Sequence, residues 1–441
     1  MTGTTVLAHG VSSREDLPIP FSYALAGAAV ALLVSFLALG LLWRESRLDP
    51  EHAGVALPAR LQSGLDGRPF RVLLRAVGLL ATAYVVLGAV AGKDDALNPT
   101  AGVVFVLFWI GLPMTSAILG PVWRLLNPVR TVHGLLSLLL RTRPEEGLAP
   151  LPARLGYWPA AAMLLAFVWL ELIAPNNDTL PVLRTFFAAY LAVNLLAATY
   201  FGSRWFDRAD GFEAYSSLIG RAAPLGRRGD GRLVLRNPLA GLAGIPVAPG
   251  LFAVVGVLLG STAYDSLANS VWWINVVQDS ALPPRWTATL GLLGMVALVT
   301  SAFFLAAAVA GRGSGLRPVR FAAEFAHTLV PIVLGYVVAH YWSLLVLAGQ
   351  STVIRLSDPL GTGADWLGTA DHGVDGRLAD PGFVAVLQVC AVLLGHVIGV
   401  VLAHDRAVRL LPRNRAVAGQ VPLLLLMVAY TVGGLSLLFG A

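Results

Sequence analysis

Residues 321–349 read FAAEFAHTLVPIVLGYVVAHYWSLLVLAG. This run is long enough to cross a bilayer, because about 20 apolar residues span the hydrocarbon core. It nevertheless carries Glu324, His327 and His340, and ionisable side chains at membrane depth usually face a protein interior or a cavity. Glu324 and His327 are three residues apart, so they share one face of a helix. We therefore predict a membrane-spanning helix that carries a functional site.

A proline interrupts the same run at Pro331. Proline has no backbone N–H, so the carbonyl group of His327, four residues earlier, cannot receive its usual helical hydrogen bond. The sequence therefore predicts that this spanning helix is kinked.

Composition places the whole chain among multi-pass membrane proteins. The 441 residues are 56% hydrophobic and 13% charged, with a mean hydropathy of +0.73, whereas soluble domains have about 25% charged residues. The net charge of +6 is spread over many loops and forms no basic patch, so nucleic acid is not an expected partner. Cys390 is the only cysteine, which excludes an internal disulfide and disfavours a thiolate metal site.

Ten apolar runs are long enough to span a membrane. They cover approximately residues 20–43, 71–91, 99–120, 157–175, 180–201, 250–270, 286–310, 321–348, 382–404 and 420–440. We predict an all-α, polytopic helix bundle of about ten spans that forms one integral membrane domain over residues 1–441. Its partner is the lipid bilayer of the plasma membrane, and its expected appendages are an N-terminal outer segment (1–19) and a long outer loop (349–381).

The distribution of arginine predicts the orientation. Arginines concentrate in loops 44–70, 121–156 and 202–249 and in the segments that follow the seventh and ninth runs, whereas the intervening loops are rich in acidic residues. Because basic loops remain on the cytoplasmic side, both termini are expected outside.

Two cytoplasmic segments have the pattern of helices that lie in the headgroup layer. Residues 120–141 alternate apolar residues on a helical period with arginines, which predicts an interfacial helix at about 121–140. His133 is then expected to be solvated. Residues 211–221 are a shorter candidate of the same kind.

The first candidate site lies in the inner half of the membrane. Glu324 and His327 are near the cytoplasmic end of their span, and His396 reaches a similar depth in the next span. Glu-x-x-His is half of a di-metal pattern, and His396 would complete a divalent metal site in which all three residues are ligands and catalytic groups. Haem b between His327 and His396 is an alternative, and a proton relay through Glu324 and His327 is another. A purely structural role explains the three residues equally well, with Glu324 reaching the interface and the histidines bonded to backbone.

A second candidate group lies on the outer side. It consists of His9 in the N-terminal segment, Glu171 after the fourth run, Asp265 at the end of the sixth and His340 near the outer end of the eighth. These residues are candidates for lining an outward cavity. A position in the interfacial aromatic belt, beside Tyr341, is the competing interpretation of His340.

Three segments resemble one known family. They are AHGVSSREDLPIPFSYALAGAAVALLVSF (8–36), FAHTLVPIVLGYVVAHYWSLL (325–345) and QVCAVLLGHVIGVVLAHDRA (388–407). Together they are similar to actinobacterial polytopic membrane proteins labelled fenitrothion hydrolase, and the resemblance covers nearly the whole chain.

The resemblance implies cleavage of organophosphorus aryl esters, small apolar substrates that partition into lipid. Phosphotriester hydrolysis usually relies on water activated by one or two metal ions, so a membrane-embedded, metal-assisted hydrolase is the expectation. No catalytic motif of that family can be carried over to residues of this chain. A transporter or permease, or a haem- or metal-binding redox protein, remains the alternative.

Overall fold

Helices account for nearly all the regular structure in residues 13–440, which are the residues described by the computed structural model. The helices are α1 (Phe21–Leu42), α2 (Ala59–Leu65), α3 (Arg68–Ala91), α4 (Thr100–Gly102), α5 (Gly111–Leu119), α6 (Trp123–Leu126), α7 (Pro128–Leu139), α8 (Trp158–Leu172), α9 (Leu180–Phe201), α10 (Gly211–Ile219), α11 (Pro238–Ala243), α12 (Leu251–Ala268), α13 (Val271–Asp279), α14 (Pro284–Ala310), α15 (Pro318–Phe325), α16 (Val330–Arg355), α17 (Pro381–Leu410) and α18 (Val421–Leu438). The strands are β1 (Val55–Ala56), β2 (Leu225–Arg227) and β3 (Leu233–Leu235).

The predicted all-α membrane bundle is confirmed. In the described part of the chain, 8 helices are long and apolar enough to span a membrane, and the pair Thr100–Phe108 and Gly111–Leu119, bent by 40°, makes up to 9. The remaining predicted span forms α8, which has only 15 residues. That length corresponds to about 22 Å, less than the roughly 30 Å of a hydrocarbon core.

Although α8 is short, its two ends lie on opposite faces of the bundle. At its start, the backbone N–H of Tyr157 donates to the carbonyl of Pro249, in an arginine-rich loop, over 2.8 Å. Beyond its end, the N–H of Leu180 donates to the Asp94 carboxylate, in an acidic loop, over 2.9 Å. The chain therefore crosses between the faces here, as the ten predicted runs require.

The arginine-rich loops come together on one face. A three-stranded sheet in the order β1-β3-β2 joins loop 44–70 to loop 202–249, with Val55 and Leu225 both paired to Leu235. The Arg409 guanidinium, after the ninth run, bonds the carbonyl of Leu48 on the same face. This is the face that the positive-inside rule predicts to be cytoplasmic.

The described ends of the chain meet on the opposite face. The Nε of Arg14 donates to the carbonyl of Phe439 over 2.8 Å. The side chain of Arg355 reaches the acidic loop after α3, where it donates to the carbonyl of Ala96 over 3.0 Å. Residues 14 and 439 therefore lie on the face opposite the arginine-rich loops, which is the face predicted to be outside.

The centre of the bundle is formed by α12 and α16. In α12, 72% of the most apolar window is buried inside the protein, against 17% in α1. Apolar side chains such as Leu33 of α1 and Leu298 of α14 are exposed instead, as expected for helices that face lipid.

The eighth span is interrupted where the proline predicts. Residues Ala326–Leu329 form a 3₁₀ turn between α15 and α16. The N–H of Val330 donates to the carbonyl of His327, which thereby recovers a partner three residues later. The third span is interrupted too, by a π-helix at Val103–Phe108, and π-helical turns are frequent at functional sites.

Helices α16 and α17 pack with their backbones in contact. A Cβ atom added to Gly395 would lie 2.7 Å from the carbonyl oxygen of Pro331, and one added to Gly399 would lie 2.8 Å from that of Thr328. Small residues allow this close approach between membrane helices, and here they leave no space between the two backbones.

Three details differ from the sequence-based expectation. Helix α16 continues to Arg355, so the long outer loop begins later than residue 349. Helix α10 is buried along almost its whole length and does not lie at an interface. His133 of α7 is also buried, with its ring 5.9 Å from that of Phe206, because the loop after α9 folds over it.

Candidate functional site

A buried carboxylate, an imidazole and a phenol meet near the outer end of α12. Oxygen Oδ2 of Asp265 lies 2.9 Å from Nε2 of His340 and accepts a hydrogen bond of 2.9 Å from the hydroxyl of Tyr341. Nδ1 of His340 lies 3.3 Å from the hydroxyl of Ser266. With Nε2 donating to the carboxylate, the imidazole reaches the serine hydroxyl through its other nitrogen.

Local sequence explains how these groups approach one another. The buried face of α12 carries the hydroxyl residues Ser261, Thr262 and Ser266 beside Asp265. Thr262 satisfies its own hydroxyl by donating to the carbonyl of Leu258 over 2.9 Å. These small side chains let α16 pack closely against α12.

Glu171 adds a second carboxylate. It lies at the end of α8, which packs against α12, and it interacts electrostatically with Asp265. Its Oε2 oxygen is enclosed, without a hydrogen-bond partner among the residues that the structure describes. We call Glu171, Asp265, His340 and Tyr341 the outer cluster.

A small cavity lies beside the outer cluster. It measures about 10 Å³, enough for about one water molecule. Its lining consists of Trp109, Tyr215, Leu258, Thr262, Val333, Val337 and Tyr341. The cavity therefore connects the Tyr341 phenol to Tyr215 of α10 and to Trp109 at the bend of the third span.

A second group of buried charges lies at the N-terminal end of α10. The side chain of Asn127 donates to Asp210 over 2.8 Å and to Glu213 over 3.2 Å. Arg130 binds Glu213 with two nitrogens at 2.6 and 3.0 Å, and it also reaches Asp207 at 2.7 Å. We call Asn127, Arg130, Asp207, Asp210 and Glu213 the inner cluster.

The inner cluster contains an acid that titrates near neutral pH. Burial, followed by the nearby Glu213 carboxylate, raises the pKa of Asp210 to about 6. For Arg130, burial opposes the charge, but Glu213 and Asp207 outweigh it and raise the pKa. Because folded Asp210 holds its proton more tightly than the unfolded chain, its contribution to stability is largest below about pH 4 and is lost as the pH rises through about 6.

Sequence reasoning missed the inner cluster. Asp210 is the N-cap of α10, with its carboxylate accepting from the N–H of Phe212 over 3.0 Å, and Asn127 caps α7. The sequence did contain one local signal for this cluster. Asp207, Asp210 and Glu213 are spaced three residues apart, which places the three acids on the same side of the chain where α10 begins. Their partners lie about 80 residues earlier in the chain, beyond the reach of a local pattern.

The predicted inner-half site has a different arrangement from the one expected. The carboxylate of Glu324 forms ion pairs with Arg320 at 2.9 Å and with Arg406 at 3.1 Å. Nδ1 of His327 donates to the backbone carbonyl of Glu324 over 2.9 Å. The His327 imidazole therefore contacts the backbone of Glu324, whereas the Glu324 carboxylate pairs with two arginines.

His396 is fully buried on α17. Its Nδ1 donates to the carbonyl of Val392 over 2.8 Å, and its ring lies 5.7 Å from that of Tyr336. Within residues 13–440, no group of three or more His, Cys, Asp or Glu side chains is placed to hold a metal ion. The structure thus does not join Glu324, His327 and His396 into a metal centre, and His9 lies outside the described residues.

Haem b does not fit between His327 and His396. Axial ligation requires two imidazoles on opposite sides of a wide macrocycle. The helices that carry these histidines touch through their backbones at Gly395 and Gly399, so the macrocycle has no space. No step is assigned to this cofactor.

Comparison with known proteins adds no relative. No protein-family model, no curated protein and no solved structure matches the chain. What is established is therefore a multi-pass membrane protein with many apolar helices, and the geometry of its two buried polar clusters carries the functional argument.

Proposed function

We propose that this protein is a proton-coupled transporter of the plasma membrane and that the outer cluster is its proton-binding site. One observation carries the proposal: Asp265, His340 and Tyr341 share hydrogen bonds in the core of the bundle. Burying ionisable groups in a membrane protein is costly, and apolar side chains of similar volume would stabilise the bundle at least as well. Such groups commonly mark proton relays in transporters.

The order of groups along the bundle supports a path for protons. Glu171 is nearest the outer turn that follows α8, and Asp265 with His340 lies beside it. The Tyr341 phenol leads to the cavity, which also contacts Tyr215 of α10. In this proposal, a proton taken up from outside is held between the two carboxylates and the imidazole before it moves inward along α10.

Interrupted helices give additional support. The broken third and eighth spans pack against each other, with α16 touching both the π-helix and α5. They occupy equivalent positions in two halves of five spans, and breaks at corresponding positions often mark the substrate site of transporters. The proposed solute is accordingly expected to bind beside Trp109, once a movement of these segments enlarges the cavity.

The test uses liposomes that contain the purified full-length protein and a pH-sensitive dye in the lumen. Amino acids, organic cations and organic anions are added outside, each with and without an inward proton gradient. We expect at least one solute class to change the lumenal pH in a gradient-dependent manner. The proposal is wrong if none of the three classes changes the lumenal pH beyond the change in empty liposomes.

Our second candidate is the hydrolase implied by the family resemblance, placed at the outer cluster. This candidate is supported by the contact between the Asp265 carboxylate and the His340 imidazole. An imidazole that a carboxylate holds in place can act as a general base towards water. Water would attack the phosphorus atom, and the aryl oxide would leave with a proton. The purified wild-type protein should then release nitrophenol from a nitrophenyl thiophosphate ester. His340→Ala should lose this activity, and the control His52→Ala, at an exposed histidine, should keep it. Equal rates in the two variants would contradict it.

A further inference from the structure

On the arginine-rich face, Arg236 is buried and Arg221 is half-buried, and neither forms an ion pair with a carboxylate of residues 13–440. Arg236 is only 7% exposed, and its Nε has no hydrogen-bond partner among the described residues. Its guanidinium lies against Gly226 and Gly241, where an added Cβ atom would come within 2.3 and 2.8 Å of it. The remaining nitrogens make only long contacts, of 3.3 Å to the carbonyl of Arg227 and 3.5 Å to that of Arg221.

Arg221 adjoins Arg236 and is half-buried. Its charged or ionisable neighbours are Tyr157, Arg124 and Arg236. Burial first, and a neighbouring arginine in addition, lowers the pKa of both Arg221 and Arg236. The other buried guanidiniums differ, because Arg130 pairs with two acids and Arg406 pairs with Glu324. Positive charge is therefore uncompensated at this place.

Two exposed arginines flank this pair. The Arg208 guanidinium lies 6.0 Å from the ring centre of Tyr157, and Tyr157 also interacts electrostatically with Arg221. Arg124 lies near Arg221 and forms a long ion pair with Asp207 at 3.3 Å. Four guanidiniums are therefore concentrated in one place, and those of Arg124 and Arg208 are exposed to solvent.

The depth of the arginines matches the headgroup layer. Tyr157 is followed by Trp158, which begins α8, is 47% exposed and contacts Phe252 edge-on at 5.7 Å. Exposed tryptophans at the start of spanning helices lie at the membrane–water interface. The guanidiniums around Tyr157 are therefore level with lipid phosphates of the cytoplasmic leaflet.

We propose that Arg221 and Arg236, flanked by Arg124 and Arg208, bind a phosphate group, and that the phosphate belongs to an anionic phospholipid of the cytoplasmic leaflet. Guanidinium forks match phosphate oxygens in pairs and remain charged when buried. The cytoplasmic leaflet supplies anionic lipid at high local concentration. The inference is independent of the transport proposal, because none of these residues belongs to the outer cluster.

The test measures lipid binding by native mass spectrometry of the full-length protein in detergent, with phosphatidylglycerol or phosphatidylcholine added. We expect the protein to retain phosphatidylglycerol preferentially. Arg221→Gln should weaken retention roughly tenfold, the effect of losing one charge-assisted contact, and Arg221→Lys should weaken it less. The control Arg60→Gln removes an exposed arginine from the same face and should change nothing.

A competition arm separates the two sources of phosphate. If millimolar inorganic phosphate leaves the bound lipid in place, the ligand is the lipid headgroup. Inorganic phosphate could instead displace phosphatidylglycerol from the wild type without displacing the lipid that Arg221→Gln still retains. In that case the arginine site exists and binds free phosphate. Retention of phosphatidylglycerol by Arg221→Gln at the wild-type level, or an equal loss in Arg60→Gln, would overturn the proposal. Thermal unfolding of each variant verifies that it is folded.

Discussion

Replacing Arg130 by methionine is expected to lower the free energy of unfolding by about 3–5 kcal/mol, the usual cost of removing one partner from a buried ion pair. Glu213 is completely buried and receives two of its three hydrogen bonds from Arg130. Without the guanidinium, its charge is left with only the amide of Asn127. Reversible unfolding of the purified protein in mixed micelles, followed by circular dichroism, measures the loss.

Two further variants make this prediction specific. Arg124→Met removes an exposed partner of Asp207 and should cost less than about 1 kcal/mol, as exposed pairs do. The double variant Arg130→Met/Glu213→Met removes both charges and should recover much of the loss, because the buried Glu213 carboxylate is no longer left without its arginine. A loss in Arg130→Met no larger than that in Arg124→Met would show that the inner cluster contributes little to stability.

Replacing Asp265 by asparagine is expected to reduce solute-dependent proton movement at least about 100-fold. The amide has nearly the same shape as the carboxylate, but it cannot accept the proton that the proposed transport step requires. Asp265 is the acceptor shared by His340 and Tyr341, so the whole outer cluster loses its central acid. The dye-loaded liposomes described above measure the effect, with protein content matched between samples.

The matched control for this variant is Asp279→Asn. Asp279 ends α13 on the outer surface and is exposed, so the same chemical change there should leave proton movement at the wild-type rate. Solute binding without proton movement in Asp265→Asn would support a coupling role for the cluster. Wild-type proton movement in Asp265→Asn would remove the outer cluster from the transport proposal.

The membrane bundle was predictable because lipid imposes strict rules on sequence. Backbone groups in hydrocarbon must be satisfied within a helix, so every span requires a long apolar run. Each predicted run corresponds to one helix or, for the third and eighth runs, to an interrupted helix. The bend near Pro331 followed from the chemistry of one residue. The length of α8 did not follow, because residues 173–175 are apolar and continue the run although the helix ends at Leu172.

The contacts within the sites were less predictable. Depth along the helices brought Asp265 and His340 to the same outer level, and the structure places them in hydrogen-bond contact. Depth also suggested that His327 and His396 lie at one level and that Glu324 joins them, yet the Glu324 carboxylate accepts a hydrogen bond from Arg406, 82 residues away. Charge pairing between distant segments depends on how helices rotate about their axes, and one sequence contains no signal for that rotation.

The shortness of α8 has an electrical consequence. A helix of about 22 Å that starts at the inner surface of a core of roughly 30 Å ends about 8 Å below the outer surface, so outer water has to enter the bundle by about that distance to reach Glu171. A proton that reaches Glu171 has then crossed only a small part of the membrane voltage. In the proposed transporter, most of the voltage then acts on the onward movement of the proton, with up to about 2.3 kcal/mol per charge at 100 mV, so an interior-negative cell would draw protons inward from Glu171 even without a pH gradient.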